Sequence, residues 1–164
     1  MLVDPIKAHN RQEKVDEAFE AMKNQIALED TEATAMTFVV PATGNEISGE
    51  DYDYFGNDDE ILRQQAEVAS ELASYGDAVT LNGIGIIDID SVNIHLPIWD
   101  EASVLTLRYG AGHYADSVLP GEVGNCTILA HHMRDRDSMF HNLDDVSIGD
   151  VVTITTVDGH QHLY

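Results

Sequence analysis

The chain has 164 residues, of which 43% are hydrophobic, so it is long enough for one domain with its own core. Asp and Glu outnumber Lys and Arg by 30 to 8, which gives a formal net charge of −22. A surface this acidic repels the phosphates of nucleic acids and of anionic lipids. We therefore expect no nucleic-acid binding and no membrane docking through a basic patch.

The N-terminal residues are predicted to form an amphipathic helix over residues 5–29. Pro5 suits the first turn of a helix. Val15, Phe19 and Met22 then recur at helical spacing, with charged residues on the other faces. This pattern is typical of a helix that packs one side against a core.

The next stretch changes character. Residues 30–58 combine Thr, Gly and Asn with many acids, which predicts an acidic linker or a mobile surface segment. A second helix is predicted over residues 59–75, with Gly76 as its stop. The chain is therefore divided into a helical N-terminal extension, residues 1–76, and a β domain, residues 77–164.

From residue 78 onward the hydrophobic pattern has the period of two that β-strands show. Asn82-Gly83 and Asp158-Gly159 are two of the turn signals between the strands, and the latter predicts a type I′ hairpin turn. Many short strands with tight turns predict a barrel or a sandwich. The last strand stops after five residues, so we expect an incomplete barrel with an open edge. The predicted strands are residues 79–81, 84–89, 92–98, 104–108, 127–130, 151–157 and 160–164.

The motifs of this β region follow the order that they have in the sortases, the cysteine transpeptidases that attach proteins to Gram-positive cell walls. The chain resembles that family in six segments, although Ala130 replaces the usual glycine and His132 stands where Arg or Asn is common. Each motif is weak alone, and the ordered set is fairly specific. The segments are Leu96-Pro97-Ile98, Gly110-Ala111-Gly112-His113, Ser117-Val118-Leu119-Pro120-Gly121-Glu122-Val123-Gly124-Asn125, Ile128-Leu129-Ala130-His131, Phe140-His141-Asn142-Leu143 and Ile148-Gly149-Asp150.

The resemblance implies a fold and a catalytic residue. The fold would be mainly β, a sortase-like antiparallel β-barrel that is incomplete at the C-terminus, with a helical N-terminal extension. His131 falls on the family's catalytic histidine. The family's nucleophilic cysteine, in a Thr-Leu-x-Thr-Cys strand, and its catalytic arginine have no counterpart here. We therefore expect them beyond Tyr164, and we expect the fragment alone to be inactive.

The implied function is cysteine transpeptidation. The partners would be a protein substrate with a Leu-Pro-x-Thr-Gly-like signal and an amine acceptor from a cell-wall precursor or a pilin. The complete protein would sit on the extracellular face of the cell membrane through an anchor absent from this chain, and the fragment itself would be soluble. Neither a cofactor nor a metal is expected. The alternative is a non-catalytic β-barrel module that binds a ligand at the cell surface.

Cys126 and His113 also carry side chains that could act in the chemistry. Cys126 and His131 lie five residues apart, so on an extended strand they would point to opposite faces. Cys126 is therefore predicted to be a buried core thiol rather than the nucleophile. His113 is predicted to support the fold or to line the edge of the site.

Two other patterns have ordinary explanations that we favour. Histidines and acids cluster in the sequence, but no tight metal-ligand spacing such as HExxH is present. The segment Val40-Pro41-Ala42-Thr43-Gly44 is similar to the sorting signal that sortases cleave and could act as a lid. Pro and Thr-Gly are, however, common turn residues. The candidate metal ligands are His113, His131, His132, His141, Asp135 and Asp137.

Overall fold

The computed structural model describes residues 5–28, 36–41, 78–132 and 139–164, together with residues 63, 66, 67, 70 and 74. Helix α1 spans Pro5–Ala27, and three 3₁₀ turns span Asp90–Val92, Thr106–Arg108 and Leu143–Asp145. No helix in these described parts has the length and apolar content that a membrane crossing requires. The strands are β1 (Met36–Pro41), β2 (Ala78–Ile89), β3 (Ile94–Trp99), β4 (Ala111–His113), β5 (Ile128–Leu129), β6 (Thr153–Thr156) and β7 (Gln161–Leu163).

The seven strands form one sheet in the order β5-β4-β3-β2-β6-β7, and β1 also pairs with β2. The β3–β4 pair is parallel, and the other pairs are antiparallel. The chain is thus mainly β and mostly antiparallel, with an N-terminal helix, which confirms the predicted fold class.

Helix α1 packs on the sheet through the predicted stripe. Val15 and Met22 are fully buried and Phe19 is nearly so. They join two apolar clusters, one around Ile87 and Ile98 and one around Trp99. Because neighbouring residues on a strand point to opposite faces, both faces of the central strands contribute to the core.

The linker prediction for residues 30–58 is wrong for residues 36–41, which form β1. This segment pairs with β2 in a continuous register from Met36 opposite Gly83 to Pro41 opposite Ala78. Its apolar and β-branched residues favour a strand, and the acids around it hid that signal. The division at residues 76/77 stays a prediction, although both α1 and β1 contact β2. The predicted helix 59–75 has five described positions, and all of them are helical.

The predicted turn at Asn82-Gly83 is wrong, because β2 runs straight through it. Gly83 pairs with Met36 of β1 and with Trp99 of β3, so neighbours on both edges hold this residue in an extended conformation. The irregularity that remains is a shift of the β2–β3 register between Gly83 and Gly85. Tertiary pairing has overridden the local turn preference.

The strand predicted at residues 104–108 is also wrong, because Thr106–Arg108 form a 3₁₀ turn. Ser103 and Thr106 bond reciprocally: the Ser103 N–H donates to Thr106 Oγ1 (2.8 Å), and the Thr106 N–H donates to Ser103 Oγ (3.2 Å). These side-chain bonds satisfy backbone groups that a strand would have paired. The turn lets the chain re-enter the sheet parallel to β3.

The β6–β7 hairpin lies where it was predicted, but its turn is of a different type. β6 reverses into β7 through Asp158-Gly159. The Gly159 N–H donates to the Thr156 carbonyl (2.9 Å), and the Thr156 N–H donates to the His160 carbonyl (2.9 Å). Gly159 has a φ of 86°, whereas Asp158 has a negative φ, so a type I turn with a glycine bulge replaces the type I′ turn.

Candidate active site

His131 follows the short strand β5 at one end of the sheet. β5 pairs with β4, with Gly112 opposite Leu129 and His113 opposite Ile128. The side chain of His131 is half-buried, and its Nε2 atom is buried. Its backbone carbonyl accepts a hydrogen bond from the Phe140 N–H at 3.0 Å. The backbone of His131 is thus held on its N-terminal side by the pairing of β5 with β4 and at its carbonyl by the bond from Phe140.

The glycine before His113 allows β4 to pack against the chain that leaves β3. A Cβ atom at Gly112 would lie 2.6 Å from the Glu101 carbonyl oxygen and 2.7 Å from Ala102 Cα. Both are backbone atoms, so neither can rotate away. The glycine therefore serves the close approach that places β4, and β4 in turn places β5 and His131.

Cys126 does not have the properties of an activated nucleophile. Burial raises the pKa of its thiol, and the negative charge of Glu122 raises it further. Since the thiolate is the reactive form, a raised pKa lowers the reactive fraction at neutral pH. The strand-face argument for the same conclusion fails, however. β5 spans Ile128–Leu129 alone, so no continuous strand links Cys126 to His131.

His132 faces a different environment from His131. It forms an isolated β-bridge with Met139, and its side chain is 45% exposed. Its Nε2 atom lies 3.5 Å from Asp144 Oδ2, and its ring stacks on that of His141 at a centroid distance of 6.5 Å. Asp135 and Asp137 of the candidate metal set lie outside the described residues.

Among the described residues, the candidate metal set forms no group of three within ligand distance, although His132 and His141 lie side by side. Its member His113 is instead buried, with Nε2 3.0 Å from the Val118 carbonyl oxygen. In the described ranges, three potential ligands do converge elsewhere, with the ligand atoms of Asp88, Asp90 and His95 within 4.8 Å of one another. Asp90 is 92% exposed, and His95 already bonds Asp88 at 2.7 Å, so we assign no metal to this group.

A hydrogen-bond network in the loop between β4 and β5 was not anticipated from the sequence. Ser117 Oγ lies 3.1 Å from His113 Nε2 and accepts from the Thr127 N–H at 3.0 Å. The sequence marks Ser117 only as the first residue of the motif that ends at Asn125. The spacing of ten residues between Ser117 and Thr127 carries no local signal, so folding alone reveals the contact.

Residues 87–164 match the protein family described as the Sortase domain. That segment contains β4, β5 and His131. Over that segment the chain is similar to the sortase family. It is 35% identical over 66 residues to Sortase D of Bacillus subtilis (strain 168), and this match covers 40% of the chain and 31% of the relative. The chain thus spans about a third of the length of that curated relative.

Solved sortase structures resemble the chain as well. A Clostridium perfringens Sortase D5 transpeptidase is 32% identical, with 50% of this chain and 51% of that chain covered and a TM-score of 0.45. A lid mutant of Sortase A from Corynebacterium diphtheriae is 23% identical, with 91% and 67% covered and a TM-score of 0.48.

Proposed function

We propose that the protein is a cysteine transpeptidase in which His131 is the catalytic acid and base. The observation that carries this proposal is the position of His131. It lies in the matched family segment, at the end of a sheet strand, with a half-buried side chain. Partial burial holds an imidazole in place, and part of the His131 ring stays exposed although its Nε2 atom is buried.

In the proposed reaction a thiolate attacks the carbonyl carbon of a peptide bond, and an acyl-enzyme forms as the amine leaves. His131 donates a proton to that leaving amine. It then takes a proton from the incoming amine, which attacks the thioester and releases the thiolate. Imidazole suits both steps because its ordinary pKa lies near neutral pH.

We propose that the nucleophile is a cysteine other than Cys126. The raised pKa of Cys126 supports this, because a sortase-type nucleophile must supply a thiolate. Cys126 is the single cysteine among the 164 residues, so the proposed nucleophile would lie outside them. A positively charged side chain would stabilise the oxyanion in the proposed reaction.

The proposed substrate is a protein with a Leu-Pro-x-Thr-Gly-like signal, cleaved between Thr and Gly. The proposed acceptor is an amine of a cell-wall precursor or of a pilin. These substrates place the working protein on the outer face of the membrane. The strongly acidic surface supports a protein partner rather than a nucleic acid.

The test uses the full-length protein with a fluorogenic Leu-Pro-x-Thr-Gly peptide and a small amine acceptor. We expect an amine-linked product and, by mass spectrometry, an acyl-enzyme on a cysteine other than Cys126. The matched control is Cys126→Ala, which should retain turnover. Peptide binding without any cleavage would contradict the proposal and favour a binding module. Loss of turnover in Cys126→Ala, with the acyl group on Cys126, would refute our assignment of the nucleophile.

A further inference from the structure

Backbone bonds close the loop that joins β4 to β5: the Tyr114 N–H donates to the Thr127 carbonyl (2.9 Å), and the Val118 N–H donates to the Asn125 carbonyl (3.2 Å). One buried imidazole and one hydroxyl reinforce this closure. His113 is 4% exposed, and its Nε2 atom lies 3.0 Å from the Val118 carbonyl oxygen and 3.1 Å from Ser117 Oγ. Ser117 Oγ in turn lies 2.7 Å from the Tyr114 carbonyl oxygen and 3.0 Å from the Thr127 nitrogen. The two side chains therefore tie the start of the loop to its end.

The acceptors in this network indicate that the Nε2 atom of His113 is a donor. A carbonyl oxygen can only accept, so the Nε2 atom facing Val118 must carry a proton. The single proton of the Ser117 hydroxyl goes to the Tyr114 carbonyl, which is its nearest acceptor. Ser117 Oγ is then left to accept from the Thr127 N–H and to share the Nε2 proton of His113, as in a three-centre bond.

The network lies directly before the strand that carries His131. Thr127 precedes β5, which pairs with β4 over two residues alone. Two pairs specify a strand register weakly, so additional anchors matter. Ser117 anchors the Thr127 amide at one end of this segment, and Phe140 anchors the His131 carbonyl at the other.

We propose that His113 and Ser117 are positioning residues that set the place of the His131 imidazole. They act through the backbone, from the Thr127 amide along β5 to His131, and neither touches the substrate. The inference rests on the proposed function for its effect on rate. Its structural part, the clamp on Thr127, is independent of that function.

Four variants of the full-length protein test the proposal. Ser117→Ala removes the acceptor of the Thr127 N–H, and Ser117→Thr keeps it. His113→Leu removes the Nε2 donor, and His113→Gln keeps a donor nearby, since the Gln amide nitrogen reaches a similar place. The matched control is Asn125→Ala, because Asn125 Nδ2 bonds the side-chain oxygen of Thr127 and not its amide (3.0 Å).

In Ser117→Ala we expect the Thr127 amide to exchange with solvent about tenfold faster or more, since its half-buried hydrogen-bond partner is lost. We expect kcat to fall by about 10–100-fold with KM nearly unchanged, because small displacements of a catalytic group cost rate rather than binding. Ser117→Thr and His113→Gln should recover much of kcat, and Asn125→Ala should behave as the wild type.

A fall in Tm with an unchanged kcat would overturn the proposal and leave the network a purely structural role. Unchanged Thr127 exchange in Ser117→Ala would overturn it as well. Should the wild type cleave no sorting peptide, the proposed function fails. The positioning role is then judged by the NMR signal of the His131 imidazole, which must shift in Ser117→Ala and not in Asn125→Ala. If His113→Leu does not fold, kcat and Thr127 amide exchange in Ser117→Ala alone decide whether the positioning role holds.

Discussion

Replacing Gly112 with alanine tests whether the close packing of β4 holds this end of the sheet in place. The new Cβ would lie 2.6 Å from the Glu101 carbonyl oxygen, so the backbone of one strand must move. Forcing an extra methyl group into a packed site costs about 1–3 kcal/mol in the free energy of unfolding. Removing the glycine's freedom in the unfolded chain offsets about 0.4–1 kcal/mol of this. The difference spans about 0–2.6 kcal/mol, and because the colliding atoms belong to the backbone we expect its upper part, about 1–2.6 kcal/mol, or a fall in Tm of about 2–10 °C.

The matched control is Gly83→Ala in β2. Its Cβ would also collide, but with the Cε and Sδ atoms of Met22, the flexible end of a side chain that can turn aside. We expect this variant to lose less than half as much as Gly112→Ala. Urea denaturation and thermal melts of both variants measure the difference. If Gly112→Ala is as stable as the wild type, or if Gly83→Ala is the less stable of the two, the packing argument is wrong.

Three more predictions follow from single groups. Glu122→Gln should lower the pKa of Cys126 and still leave it above its ordinary value, because burial is the larger cause; the ultraviolet absorbance of the thiolate against pH measures this. The Thr156 hydroxyl, with smaller help from His160, lowers the pKa of Asp158. The ionised Asp158 therefore adds stability above its unfolded pKa of about 4, and this is lost as the pH falls through the lowered value. Thr156→Val should raise that pKa. In an NMR titration, the midpoint of the Asp158 signal should move to a higher pH than in the wild type. Met22 is fully buried on α1, so Met22→Ala should lower the free energy of unfolding, measured in urea, by about 2–5 kcal/mol. A loss of less than about 1 kcal/mol would mean that α1 is not part of the core.

Local sequence patterns predicted those elements whose stability depends on their own periodicity. The apolar stripe of α1 and the final hairpin are in their predicted places, because helical spacing and an Asp-Gly turn are local signals. The acidic residues around β1 hid its local strand signal, and the strand that it pairs with, β2, lies about forty residues away. Asn82-Gly83 was misread because strand pairing outweighs the local preference for a turn.

The sequence indicated a candidate site residue but not the contacts around it. The ordered motifs singled out His131, and the match over residues 87–164 agrees with that reading of the family. Its catalytic role stays a prediction. The contacts around it, from Ser117 to Thr127 and from His131 to Phe140, join distant parts of the chain. They follow from the three-dimensional path of the loops, which no local pattern encodes.

The most direct test of the account compares His131→Ala with His132→Ala in the full-length protein. We expect His131→Ala to lower kcat/KM by about 10²–10⁴, the usual cost of losing a positioned acid and base, while its Tm changes little. His132→Ala should be close to the wild type, because that side chain is nearly half exposed and pairs with Asp144. If His132→Ala is the inactive enzyme and His131→Ala turns over normally, the catalytic assignment is contradicted.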